Sequence, residues 1–208
     1  MSDHNPAEDA QGVTMILKTT PESEATGLTA ALYDDDLNTL GYVTPQTKAM
    51  AINPEVSKAF DALLGALKTS MDLRRYELVT LAAAQGVGST HCLLAHGAKA
   101  LAVFTEAEVN AVARDYRNAG LTDAEVAMME YAEKLSRDAA AMTDADTLVL
   151  RGHGFTDREI VDITVAAAAR NYLSRAVLAL AVDLDVPPAL SPELQEALLS
   201  PLASRHPT

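Results

Sequence analysis

The 208-residue chain has no tryptophan, three phenylalanines and a single cysteine. One cysteine excludes an intrachain disulfide, so packing must hold the fold, and the thiol is either a small core residue or a reactive group. Positive charge is scarce: 16 Lys and Arg stand against 29 Asp and Glu, a net charge of −13. Such a surface repels phosphate backbones and anionic membranes, and no basic cluster interrupts it, so neither nucleic acid nor a membrane is an expected partner. No apolar run approaches the roughly 20 residues that span a bilayer. The opening MSDHNPAEDAQG is acidic and polar, unlike a secretion signal, which points to a soluble cytoplasmic protein. Strand patterning is nearly absent too, since Val, Ile and aromatic residues never alternate with polar ones over a useful length.

What remains is helical. Hydrophobic residues make up 49% of the chain, and Ala supplies much of that share, which suits closely packed helices. Asn53-Pro54, Thr105-x-x-Glu108, Thr122-x-x-Glu125 and Thr156-x-x-Glu159 each pair a cap with a first-turn Pro or a capping-box acid. Between these signals, 3.6-period stretches predict helices at about 54–70, 73–85, 90–103, 106–118, 122–138, 144–151 and 157–183. The fold class is all-α in one domain. The first dozen residues and Ser200 to Thr208 are expected to be mobile. A faint repeat overlays Glu77-Leu-Val-Thr-Leu on Glu159-Ile-Val-Asp-Ile at an offset of 82 residues, with Cys92 meeting Ser174 and His96 meeting Leu178.

The chemistry concentrates between residues 77 and 96. Gly86-Val87-Gly88 breaks one apolar run, and Ser89 is placed to cap the next helix through the backbone N–H of His91 or Cys92. Cys92 then falls in a first turn, where free N–H groups and the helix dipole favour a thiolate over a thiol. His96, four residues on, shares that face and can exchange a proton with the sulfur. His91 is rotated about 100° from Cys92 and faces the preceding segment or a neighbouring subunit. Glu77 lies on the incoming helix and reaches the Cys92/His96 end if the hairpin is tight. A metal site is not expected, because no second Cys or His element completes four ligands. His153 sits between two glycines in a turn. Arg170 and Arg175 either line a pocket or bind carboxylates of a neighbouring helix.

The pattern E-x11-S-x-H-C-x3-H resembles the signature of the alkyl hydroperoxidase D and carboxymuconolactone decarboxylase superfamily, whose redox members carry E-x11-C-x-x-C-x3-H. The resemblance extends to Asn53-Pro54-Glu55 leading to Phe60, Arg74-Arg75-Tyr76-Glu77-Leu78-Val79, Gly154-Phe155-Thr156-Asp157, and Asn171-Tyr172-Leu173-Ser174-Arg175 before Asp185, and there it is similar to the peroxidase-related branch. It implies a helical bundle of repeated hairpins over residues 28–186, between an N-terminal segment 1–27 and a C-terminal extension 187–208. It further implies that Glu77 is the proton-relay carboxylate, His96 the relay histidine, His91 the intervening histidine and Cys92 the nucleophile. Ser89 replaces the first cysteine and is the vestigial position.

The expected activity is thus a thiol-dependent peroxidase of the peroxiredoxin type. It would use Cys92 alone, without a cofactor, against a small peroxide, with an external thiol or dithiol as reductant. A homo-oligomer, trimer or hexamer, is implied. Two rivals use the same residues differently: a decarboxylase-like enzyme in which His96 and Glu77 handle protons, and a non-enzymatic redox sensor or scaffold.

Overall fold

The computed structural model describes residues 15–203. Among them are ten α-helices and no strand: α1 (Gly27–Leu40), α2 (Pro45–Met50), α3 (Pro54–Ser70), α4 (Leu73–Val87), α5 (Thr90–Ala100), α6 (Glu106–Asp115), α7 (Asp123–Arg137), α8 (Asp144–Gly152), α9 (Asp157–Ala179) and α10 (Pro192–Ala203). The all-α expectation holds, and the seven helices read from periodicity each have a counterpart. Their start signals work as read. Asn53 caps α3 through Val56 N–H, and Thr105, Thr122 and Thr156 close capping boxes with Glu108, Glu125 and Glu159.

The core is organised around α4. This helix is buried from Tyr76 to Ala84, as befits a helix that is apolar on most of its circumference. Helices α7 and α9 pack on it, and its N-terminus is tied to both. Arg74 Nε donates to Glu125 at 2.6 Å and Arg75 Nη1 to Glu159 at 2.8 Å. Each of those glutamates also caps its own helix, so one carboxylate fixes a helix start and its orientation to α4. Gly86 lies inside α4 rather than in the break. A Cβ there would stand 2.6 Å from the Glu133 carbonyl oxygen, so only glycine admits this approach of α7. The break itself is Gly88, whose φ of 83° is left-handed and ends the helix.

Three helices lie outside the periodic reading. Helices α1 and α2 bury little, chiefly Leu32, Tyr33 and Ala49, with Val43 between them. Helix α10 sits within residues 187–208 and buries Leu194, Ala197 and Leu198 against α5 and α6. Ser200 to Ala203 belong to that helix. The mobility expected of the first dozen residues and of 204–208 falls outside the described residues. The repeat is not a second hairpin: where α4 stops at Gly88, the matching position is Arg170, and α9 runs on without a break. Among the described residues no helix is long and apolar enough to cross a membrane.

Candidate active site

The turn between α4 and α5 builds the site. Gly88 reverses the chain, and Ser89 Oγ accepts from Cys92 N–H at 3.4 Å as the cap of α5. This hairpin is tight enough to bring Glu77 and His96 together: Oε2 of the first lies 2.6 Å from Nδ1 of the second. The Thr80 hydroxyl, one turn along α4 from Glu77, donates to the Tyr76 carbonyl at 3.0 Å, and its oxygen lies 3.2 Å from the same Nδ1. Glu77 and His96 are only 1% and 2% exposed, so a charge on either depends on its partners rather than on water.

Those partners favour a neutral imidazole beside a carboxylate. Burial, followed by the Arg170 guanidinium, pushes His96 to a pKa of about 3 against the pull of Glu77. Burial raises the Glu77 carboxyl, but His96 and the cations Lys99 and Arg170 outweigh that effect and bring it below its ordinary value. The proton between them therefore sits on Nδ1 and is donated to Glu77. That tautomer leaves Nε2 of His96 with its lone pair free, a base whose ring is oriented by a carboxylate.

Cys92 lies one turn before His96 on α5 and is buried. No hydrogen bond joins its sulfur to His96 among the described residues. Instead Arg170 of α9 approaches with Nη1 3.7 Å from Sγ. Arg170 is itself buried, is within hydrogen-bonding reach of the Tyr76 hydroxyl, and leaves its Nε without a partner among the described residues. Of the two roles weighed for this arginine, pocket lining is the one it takes. Arg175 instead donates to the Ser136 carbonyl at 3.0 Å.

His91 diverges from Cys92 as helical rotation requires. Its Nε2 donates to the Val182 carbonyl at 2.7 Å, in the loop after α9, and this fixes the proton on Nε2. No group of three or more His, Cys, Asp or Glu positioned for a metal ion occurs among the described residues.

Two adjoining cavities flank α5, of about 410 and 390 Å³. His91 lines the first, with Tyr42, Asp185 and Pro187; His96 and Arg170 line the second, with Lys68, Phe60 and Leu64. Lys99 borders both, as do Asp36 and Thr39 of α1. Cys92 borders neither. Arg170 touches both the sulfur and the second cavity.

Residues 54–134 match the model of the carboxymuconolactone decarboxylase family. The structure superposes on a peroxidase-related protein from Silicibacter sp. TM1040 with a TM-score of 0.68 and 28% identity, covering 77% of this chain and 88% of that one. The helical core thus resembles that of the alkyl hydroperoxidase D and carboxymuconolactone decarboxylase superfamily. The same fold recurs in an alkylhydroperoxidase D core protein from Ralstonia eutropha JMP134, with a TM-score of 0.74 and 20% identity over 88% of this chain and 95% of that one. It recurs as well in a cysteine-to-alanine variant of the debrominase Bmp8 in complex with 2,3,4-tribromopyrrole, with a TM-score of 0.72 and 16% identity over 90% and 97%. No curated protein matches. Glu77, Ser89, His91, Cys92 and His96 all fall inside the family segment, whereas Arg170, a buried cation of the second cavity's wall, falls beyond it.

Proposed function

We propose that the chain is a thiol peroxidase acting through Cys92, with His96 and Glu77 as its proton relay. One observation carries this reading: the sole thiol is buried against the Arg170 guanidinium in the same cluster as a carboxylate-oriented neutral imidazole. A cation beside sulfur favours the thiolate, which is the reacting form. His96 Nε2 would accept the thiol proton. The thiolate attacks the terminal oxygen of the peroxide, the O–O bond breaks, and the alkoxide leaves as the alcohol after taking a proton. Cys92 is left as sulfenic acid. With Ser89 in place of a second thiol, an external thiol condenses with it, releasing water and forming a mixed disulfide. A second external thiol then displaces Cys92 and leaves as the oxidised pair. A cytoplasmic setting, where thiols are kept reduced, would supply them.

A trimeric or hexameric assembly is part of this proposal. It is supported by the apolar Leu148 and Val149 of α8 and Val161 of α9, exposed by 52–60%. Light scattering that finds a monomer at micromolar concentration would remove it. The decarboxylase-like alternative is favoured by a different observation, that His96 borders a cavity and Cys92 does not. Intact mass after one equivalent of peroxide decides between them. The peroxidase reading expects one added oxygen on wild type, none on Cys92→Ser and slower addition on His96→Gln. An unmodified thiol in folded protein would overturn it and leave the alternative.

A further inference from the structure

The second cavity, between α1, α3, α5 and α9, is electrically polarised, and its cations are unusually placed for an acid-rich chain. Lys99 of α5, Arg170 of α9 and Lys68 of α3 line it. None of them forms an ion pair among the described residues, although most other cations do: Arg74, Arg75, Lys48, Arg117, Lys134, Arg137 and Arg151 all reach carboxylates. Lys68 Nζ instead lies 5.4 Å from the centre of the Tyr76 ring. Arg170 is the costly case: it is a buried guanidinium whose Nε has no partner among the described residues, and Glu77, already bonded to His96, offsets its charge without forming an ion pair with it.

The aspartates that line the cavity, Asp35, Asp36 and Asp61, form no ion pair with these cations among the described residues. Asp36 of α1 accepts from the Thr44 N–H at 2.9 Å and from its hydroxyl at 3.0 Å, which commits it to the cap of α2. Asp61 of α3 is raised from its ordinary value by burial and by Asp35 and Asp36, against the pull of Lys58 and Lys68. Burial and Arg170 lower the Lys99 ammonium against the pull of Glu77 and Asp36, and an added anion would act in the same direction as those carboxylates. Phe60, Leu64 and Leu173 complete the wall with apolar surface.

We propose that this cavity recognises a carboxylate joined to an apolar body, with Lys99 as the principal contact and Arg170 and Lys68 completing the cationic wall. Resting on the peroxidase reading above, the substrate class is a carboxylate-bearing organic hydroperoxide. Its carboxylate is unchanged in the reaction: the hydroperoxide becomes the hydroxy acid, Cys92 becomes the sulfenic acid, and two external thiols return it to the thiol with release of water. Uncharged alkyl hydroperoxides would react without the benefit of this anchor.

The test separates recognition from chemistry. Calorimetric titration with 4-phenylbutyrate, 4-phenylbutyramide and 4-phenylbutylamine compares one shape in three charge states. The acid should bind about tenfold more tightly than the amide, and the amine should not bind. Lys99→Met should abolish the preference for the acid, and Cys92→Ser should bind it as wild type does. Equal binding of acid and amide, preference for the amine, no heat with any of them, or an unchanged Lys99→Met would each overturn the proposal. In parallel, Cys92 oxidation is followed with tert-butyl hydroperoxide and with 4-hydroperoxy-4-methylpentanoate. The carboxylated reagent should react about tenfold faster on wild type and lose that advantage on Lys99→Met. Selective binding of the acid with no oxidation by either reagent would sustain the carboxylate site and refute the peroxidase reading. Oxidation by both at equal rates would do the reverse.

Discussion

Acid should weaken this fold well before its carboxylates titrate, and His96 should be the cause. The imidazole is 2% exposed and its pKa falls to about 3 in the folded chain, against about 6.5 when unfolded. A group whose folded value is depressed in this way costs the protein nothing at high pH. As pH falls through 6.5 the unfolded chain takes up a proton that the folded chain refuses, so stability declines with a limiting slope of about 1.4 kcal/mol per pH unit. Between pH 7.5 and 5.0 the integrated loss is about 2 kcal/mol. That figure is insensitive to the folded value as long as it lies below about 4. Glu77 acts in the same direction, since its folded value is lowered, but its loss begins only near the unfolded value of about 4.5, below this window. Urea unfolding of wild type and His96→Gln at both pH values isolates the term, because His91 and His153 are common to the two proteins. Gln retains a donor for Glu77. The variant should lose about 2 kcal/mol less than wild type on acidification. Parallel losses would mean that His96 protonates in the folded state, and the neutral-base assignment would fail with it.

The remaining predictions follow from contacts elsewhere. Gly86→Ala should destabilise by about 1–3 kcal/mol or more, because the new methyl meets the backbone of α7. Gly65→Ala, on the open face of α3, should stabilise by about 0.4–1 kcal/mol, and thermal melts that rank the two the other way would refute the α4–α7 approach. Ser89→Cys should cost about 1 kcal/mol through the lost cap and trap an 89–92 disulfide on peroxide treatment. A folded variant with an oxidisable Cys92 and no disulfide would contradict the resolving-thiol interpretation of that position. Arg170→Met should fold, since the guanidinium forms no ion pair among the described residues, and slow Cys92 oxidation by about tenfold. An unchanged rate would relieve Arg170 of any part in the thiol chemistry.

The readable part of this fold is the part with strong local signals. Helices α3, α6, α7 and α9 announce themselves through Asn53, Thr105, Thr122 and Thr156, whose caps form as their spacing requires. Helix α1 has no such signal: Thr26 makes no side-chain cap, Gly27 opens the helix, and three consecutive aspartates blur its periodicity. Helix α10 carries Pro201, which reads as an ending when tertiary packing on α5 and α6 is out of view. At the site, the pairing of Glu77 with His96 was legible, because both sit on one hairpin whose turn is set by Gly88 and Ser89.

Arg170 was not legible as a partner of Cys92, and the reason is physical. The two residues are 78 positions apart, and their meeting depends on how α9 packs across α4 and α5. Neither helix encodes that crossing locally. The one hint was the offset of 82 residues, at which Arg170 occupies the position of Gly88. The left-handed break that lets α4 turn back and form the hairpin is thereby replaced on α9 by continuous helix. An unbroken α9 carries a guanidinium to the sulfur side of α5, whereas a glycine break there would have turned the chain away. The first half of the pattern thus supplies the thiol, imidazole and carboxylate, and the unbroken second half supplies the cation that reaches both the thiol and the cavity.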